Sequence, residues 1–411
     1  MANHVNITPL IYDTMGARFK FIHCSDLHLD TPFKRISSYD PALGEKMVRS
    51  SFDALDAIID KAISEQVDFI IFAGDIFDIK FSTPRSRYYF AEAVQRSNIR
   101  CYIAYGNHDY ERRWEDSIPL PPNAFVFPDH PVSIPYPDRE NMIADVIGVS
   151  HGMKEEKRDL TADICGSSAF SIAVVHCDLD TASEGKRYAP CRLSDLLAKD
   201  IDYWALGHVH TRSVVHTSPY VVYPGNTQGR SINETGEKGA YIVTVDDGKV
   251  AKMEFFVTGT ILWSEAEVSI TGKDMGSLLD EAASKTVPGS FVRLVITGQG
   301  VLDSLIRLER ESFTETVERR TGCVITDIDI RCVPDMDIEE RRKMGDFVSA
   351  VINGSDAMSM MTRDELIGTI CGTKASLSVK GIFEDMSDEE LQRMVDDARA
   401  SLIERLAGGS G

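Results

Sequence analysis

The sequence predicts an α/β chain: a four-layer α/β/β/α sandwich, then a small β-α-β-α-β cap domain and a helical C-terminal segment. Three observations carry this expectation. The early apolar runs are continuous rather than alternating, as in strands buried on both faces. Segments with helical spacing lie between them. Short polar motifs stand where the apolar runs stop, which is where open α/β sheets place their sites.

In chain order, Phe19–Cys24 reads as a buried strand that ends in Ser25-Asp26-Leu27-His28. Residues 41–65 place Val48, Phe52, Leu55, Ile58, Ile59 and Ile63 on one helical face. Residues 67–73 form a second apolar run, stopped by Gly74-Asp75. Residues 84–95 predict a helix with Pro84 in its first turn, where a missing N–H costs nothing. Residues 99–104 are a third strand, stopped by Gly106-Asn107-His108-Asp109. Residues 118–138 are proline-rich and predict a loop with short edge strands. Strands follow at 145–149 and 171–175, the second delivering His176, then a short helix at 192–199. A strand at 203–206 leads into Gly207-His208-Val209-His210. Residues 221–223, 239–245 and 250–257, the last two about an Asp247-Gly248 turn, predict a β-meander.

From about residue 261 the pattern changes. Strands at 262–270, 291–297 and 324–331 alternate with helices at 273–285 and 302–319, with no histidine and no metal-like spacing. Beyond residue 335 the chain reads as helical. Ser387 and Glu390 form a capping box, and Leu391, Met394, Val395, Ala398, Leu402 and Leu406 an apolar stripe. The expected boundaries are an N-terminal extension at 1–17, a site-bearing domain at 18–258, the cap at 259–334 and the helical segment at 335–411.

Composition narrows the function. A chain of 411 residues with 43% hydrophobic and 26% charged content has material for more than one packed domain. Its eight cysteines contain no C-x-x-C pair, which excludes a zinc ribbon or a thioredoxin motif. The first residues lack a basic, apolar leader and no run is long enough to span a bilayer, so a soluble, cytoplasmic protein is expected. The net charge is −20, from 64 acidic and 44 basic residues. Phosphate contacts dominate nucleic-acid affinity, so DNA binding on such a chain needs a local basic groove, bound metals or a more basic partner.

The polar motifs supply carboxylate, imidazole and one amide oxygen, the residue types that hold two divalent metals side by side. Each histidine alone has a structural reading, and His4, His23, His130, His151 and His216 keep it. Asp26, His28, Asp75, Asn107, His176, His208 and His210 together predict a dinuclear site. Two metals about 3.5–4 Å apart neutralise phosphoryl oxygens and activate a water. Asp75, at a sharp turn after a glycine, is the expected bridging carboxylate. Asp26 and His28 are expected to alternate on an extended segment, as are His208 and His210. Mixed N/O ligation suits manganese, iron or zinc. His108 is the expected catalytic residue, donating a proton to the leaving oxygen or binding phosphate, with Asp78 orienting it. Asp109 reads as a turn cap.

This order of motifs, D-x-H, G-D, G-N-H-D, H and G-H-x-H from Asp26 to His210, resembles the calcineurin-like metallophosphoesterase superfamily. The stretches around it look like the bacterial SbcD-like DNA repair exonucleases, and within them the YhaO-like branch. They are His28-Leu29-Asp30-Thr31-Pro32-Phe33, Tyr188-Ala189-Pro190-Cys191, residues 202–210 and residues 223–230 with Glu234-Thr235-Gly236. The resemblance implies one metal held by Asp26, His28, Asp75 and His210 and the other by Asp75, Asn107, His176 and His208. It implies manganese-dependent cleavage of DNA phosphodiesters, a catalytic role for His108 and a homodimer. It also implies an SMC-like ATPase partner docked through the C-terminal helices. A small-molecule phosphodiesterase or phosphatase on the same scaffold is the alternative. An open groove lined by Arg85, Arg87, Arg112, Arg113 and Arg230 would separate the two.

Overall fold

Strands β1 (Phe19–Cys24), β2 (Phe69–Ala73) and β3 (Arg100–Ala104) are mostly apolar and mostly buried, and β2 is buried at every position. They pair parallel, β1 with β2 and β2 with β3. The computed structural model describes residues 16–33, 41–111, 115–167, 169–179, 188–333, 342–371, 383 and 386–408. Within it Met1–Trp263 and Ser264–Gly411 are two separate compact units. No helix among the described residues is long and apolar enough to cross a membrane.

In the first unit, β4 (Ala124–Val126) extends the sheet beside β3. The hairpin of β11 (Gly239–Asp246) and β12 (Lys249–Val257) closes its other edge antiparallel to β1. A second six-stranded sheet holds β5 (Val132–Tyr136), β6 (Ala144–Val149), β7 (Phe170–His176), β8 (Tyr203–Gly207), β10 (Tyr220–Tyr223) and β9 (Ser213–Thr217), in that spatial order. Both sheets are parallel inside, the first antiparallel at one edge and the second at both, so their central strands are apolar on both faces.

The packing gives the layers. Phe21, Phe69 and Tyr102 of the first sheet meet Val146, Ile172 and Tyr203 of the second in one buried layer. The opposite face of the first sheet is covered by α1 (Pro41–Ser64) and α2 (Pro84–Ser97) through Phe52, Ile58 and Phe90. The opposite face of the second is covered by α3 (Leu193–Leu197) and loops through Leu196, Leu160 and Ile164. The order is α/β/β/α, as expected. His23 bridges the sheets, its ring nitrogens 3.1 Å from the Tyr203 hydroxyl and 3.2 Å from the Leu206 carbonyl. Burial pushes its pKa down to about 3 and keeps it neutral.

Three details differ from expectation. Residues 220–223 do not form a meander with the β11–β12 hairpin; β10 lies in the second sheet, parallel to β8. Residues 224–238 are too long for a hairpin loop and carry the chain across to the first sheet. Strand β9, half exposed at the sheet edge, has only Val214 and Val215 to mark it. In the second unit the helix expected at 302–319 is two, α5 (Leu302–Leu308) and α6 (Arg310–Thr321), broken at Glu309 with φ −117° and ψ 42°.

That unit stacks β13 (Trp263–Ser269), β14 (Phe291–Thr297) and β15 (Val324–Ile330) in order, with α4 (Met275–Lys285), α5 and α6 packed on them through Leu278, Ile306 and Phe313. Helices α7 (Phe347–Ser359), α8 (Arg363–Cys371) and α9 (Asp388–Gly408) follow. Ser387 and Glu390 make the reciprocal capping bonds, and Leu391 and Val395 of the stripe bury against Leu366 and Ile367.

The layer between the sheets sets the stability of the first unit. Phe21 is fully buried, its ring 5.3 Å from Phe69 and 5.2 Å from Tyr203. Phe21→Ala is expected to cost about 3–5 kcal/mol in urea unfolding. A loss under about 1 kcal/mol would mean that the site refills and that this layer is not the main core.

Candidate metal centre

The first sheet delivers its polar residues just past the carboxyl ends of β1, β2 and β3. The backbone there is unusual. Asp26, His28 and Asp75 have φ of 54°, 47° and 52°, and His208 has 101°. Residues other than glycine rarely adopt these values, and they cluster where structure is held for function. The expectation that Asp26 and His28 alternate on an extended segment is therefore corrected. Two left-handed residues replace it, held because the Asp26 and His28 N–H groups donate to the carbonyls of Gly74 and Asp75, both at 3.0 Å.

Glycine makes room for the side chains. A Cβ on Gly74 would lie 2.3 Å from His176 Nδ1, and one on Gly106 2.3 Å from Asp75 Oδ1. A Cβ on Gly207 would lie 1.9 Å from the Ala73 carbonyl oxygen. These glycines let two sheets and one imidazole meet at closer range than any side chain allows.

The structure brings all seven expected ligands together, in two groups that share Asp75. In the first group, His210 Nε2 lies 3.5 Å from Asp26 Oδ1 and 3.2 Å from His28 Nε2, and His28 Nε2 lies 3.8 Å from Asp75 Oδ2. In the second, His176 Nε2 lies 3.3 Å from Asp75 Oδ2 and 3.1 Å from Asn107 Oδ1. His208 Nδ1 is also 3.1 Å from that amide oxygen. His108 stands beside the first group, 38% exposed, with Nδ1 3.3 Å from Asp78 Oδ2.

This donor set fits divalent cations. His176 Nδ1 donates to the Ala73 carbonyl at 3.0 Å, so in the neutral ring Nε2 presents a lone pair to two oxygens. His210 Nδ1 donates to Glu234 at 2.7 Å, which turns its Nε2 lone pair toward Asp26 and His28. Asp26 Oδ1 is buried without a hydrogen-bond donor. Lone pairs facing lone pairs repel unless positive charge sits between them.

The proton affinities say the same. Burial disfavours charge on His176 and His210, yet the Asp75 carboxylate raises the first to about 10, and Asp26 with Glu234 raises the second to about 9. Burial would likewise raise Asp75, but His176, His28 and His108 hold it well below the carboxylate range. Burial and the nearby Arg230 guanidinium push His28 down. The hydrogen bond to Asp78 raises His108.

The roles of a supporting ring of residues escaped the sequence reading, which named Glu234 only within a resemblance and gave Asp109 and His151 structural readings. Glu234 fixes His210 and also accepts from the Arg230 N–H at 2.7 Å and from Asn226 at 3.0 Å. Asp178 lies 3.5 Å from His208 Nε2 and orients that ring. His151 Nε2 donates to the His176 carbonyl at 2.7 Å. Asp109 does more than cap a turn: it accepts from the Ile76 N–H at 2.7 Å and the Gly106 N–H at 2.6 Å, tying two motif loops together. Asp178 had a faint signal, two residues after His176; Glu234 had none in its spacing from His210.

The expected basic lining is only partly there. Arg87 is buried and donates to the Ile118 carbonyl and the Tyr105 hydroxyl, a packing role. Arg85 sits over the Phe52 ring. Arg230 remains close to the centre, while Arg112 and Arg113 lie outside the described residues.

The pattern of calcineurin-like phosphoesterases matches residues 19–212, the span that carries these motifs. The metallophosphoesterase YhaO of Bacillus subtilis is 33% identical over 319 residues, covering 72% of this chain and 78% of that protein. The DNA double-strand break repair protein Mre11 of Sulfurisphaera tokodaii is 28% identical over 205 residues, 48% of this chain and 50% of that one. A subunit of the nuclease SbcCD of Escherichia coli is 25% identical over 283 residues, 57% of this chain and 67% of that one. With Asp26, His28 and His210 clustered at ligand range, and Asp26, Asp75 and His176 likewise, inside the matched span, the chain belongs to the calcineurin-like metallophosphoesterases, hydrolases that use a dinuclear divalent metal site.

Proposed function

We propose that this chain is a manganese-dependent DNA nuclease, acting as exonuclease or endonuclease, that hydrolyses phosphodiesters in DNA repair as the partner of an SMC-like ATPase. The observation that carries the chemistry is Asp75, whose Oδ2 lies within 3.8 Å of His28 Nε2 and 3.3 Å of His176 Nε2. The names of the Mre11 and SbcCD relatives support the substrate and the existence of a partner protein.

In this reading Asp26, His28, Asp75 and His210 hold one cation and Asp75, Asn107, His176 and His208 the other. When bound, the pair neutralises phosphoryl oxygens and acidifies a water. The remaining steps belong to the chain. His108 points Nδ1 at Asp78, which leaves Nε2–H for the leaving-group oxygen. Asp78 orients that ring and raises its affinity for the proton it gives up. The buried carboxylates and imidazoles are fixed before substrate arrives, so little reorganisation is needed during reaction. Nitrogen and oxygen donors without thiolate suit manganese, with iron or zinc also matching the set.

Manganese-loaded protein should degrade single- or double-stranded DNA, and Asp75→Ala should abolish this. Cleavage of an aryl phosphodiester with no cleavage of any DNA would move the assignment to a small-molecule phosphodiesterase. His108→Asn should lower kcat by about 10²–10⁴ while the metal content, read by mass spectrometry, stays at the wild-type level. An unchanged kcat would remove His108 from the chemistry and spare the metal site. Glu234→Gln should weaken metal affinity by roughly 10–100-fold in a chelator competition, because His210 loses the carboxylate that orients it. Equal affinity would show that packing alone sets that ring.

A further inference from the structure

A cavity of about 320 Å³ opens beside the metal centre, lined by Asp78, Asn107, His108, Tyr110, Lys80 and Lys154. Its floor is the catalytic side of the site. Its one lining carboxylate, Asp78, is already engaged by His108 Nδ1 at 3.3 Å and by the Lys80 N–H at 3.2 Å. Lys80 and Lys154 are exposed, and neither has a carboxylate partner among the described residues. Lys80 holds its ammonium 5.2 Å from the Phe81 ring centre, a contact that leaves the charge available. On a chain with net charge −20, two lysines lining one cavity without an ion-pair partner among the described residues make a local positive field next to the reacting centre.

We infer that this cavity is a second phosphate subsite, in which Lys80 and Lys154 bind the backbone phosphate adjoining the scissile one. The inference rests on the phosphodiesterase reading and sharpens it: the substrate is a chain with consecutive phosphates, not an isolated ester. A lone phosphodiester fills the metal centre and leaves the lysines unused. An oligonucleotide satisfies both, since the next phosphate must leave the centre through some neighbouring cavity, and this one carries the opposite charge. Lysine suits that task, because a flexible point charge tolerates every base and sugar pucker while holding the backbone.

The test is binding of a nuclease-resistant phosphorothioate hexathymidylate, fluorescein-labelled, to the manganese-loaded full chain across a salt series. In Lys80→Ala/Lys154→Ala the slope of log affinity against log salt should fall by about 0.7, the share of one phosphate contact on a single strand. Affinity at low salt should drop about tenfold. Lys80→Arg/Lys154→Arg, which keeps the charge, should restore the slope, and matching thermal melts of the two variants show that the fold is kept. If the wild-type chain binds the probe and the alanine pair leaves both slope and affinity unchanged, the subsite is wrong while the nuclease reading stands. If the wild-type chain neither binds the probe nor cleaves DNA, the DNA reading fails and takes this subsite with it.

Discussion

The carbonyl of Ala73 is the point on which the centre depends. It closes the last residue of β2, accepts the His176 Nδ1 proton from the second sheet, and lies against Gly207 at the end of β8 so tightly that no Cβ fits. One backbone oxygen therefore fixes the separation of two sheets, the tautomer of one imidazole and the direction of its free lone pair. Asp75 starts two residues later, and its distance from His176 follows from that contact. The site is a property of how the sheets meet rather than of any loop.

The strain stored around this contact has visible compensation. Four expected ligand positions hold left-handed backbone, each disfavoured for its residue type. Opposing them are main-chain bonds from Asp26, His28 and Leu29 to the loop after β2, and the Asp109 carboxylate bridging the loops after β2 and β3. The interlocked aromatic layer of Phe21, Phe69, Tyr102 and Tyr203 lies directly beneath. A rigid base lets short side chains meet at ligand distance before any cation enters. The same logic explains why Asp and Asn serve here where Glu and Gln would not: fewer rotatable bonds leave less entropy to lose.

Much of this was legible in the residues. Strands buried on both faces announce themselves as unbroken apolar runs, so β1, β2, β3, β7 and β8 stood out, and with them the strand ends where Asp26, Asp75, Asn107, His176 and His208 sit. What stayed hidden depended on contacts made far along the chain. Residues 220–223 look like any short strand, and only the pairing with β8 says which sheet they join. The break at Glu309 leaves Leu302, Ile306, Phe313 and Val317 in one helical phase on both sides, so periodicity cannot mark it. Glu234 and Asp178 act through histidines they approach only in three dimensions. The left-handed turn at Asp26 and His28 was invisible because D-x-H spacing fits an extended segment equally well.

The acidity that sits badly with a phosphate substrate is unevenly used. Asp26 and Asp75 are buried and faced by imidazoles, Asp78 and Asp178 each face one histidine, and Glu234 faces His210 and Arg230 together. These carboxylates are turned inward, so their field is spent on cations and protons and little of it reaches a phosphate arriving from solvent. The chain from 335 to 411 adds another −7 far along the sequence, from 16 acidic and 9 basic residues. Charge screening over about 8–10 Å weakens any carboxylate that does not stand beside the reaction centre. What a substrate meets is the local balance, and in the cavity beside His108 Lys80 and Lys154 stand with Asp78 as the one lining carboxylate. A net charge of −20 therefore limits non-specific adhesion to nucleic acid without forbidding capture at one place.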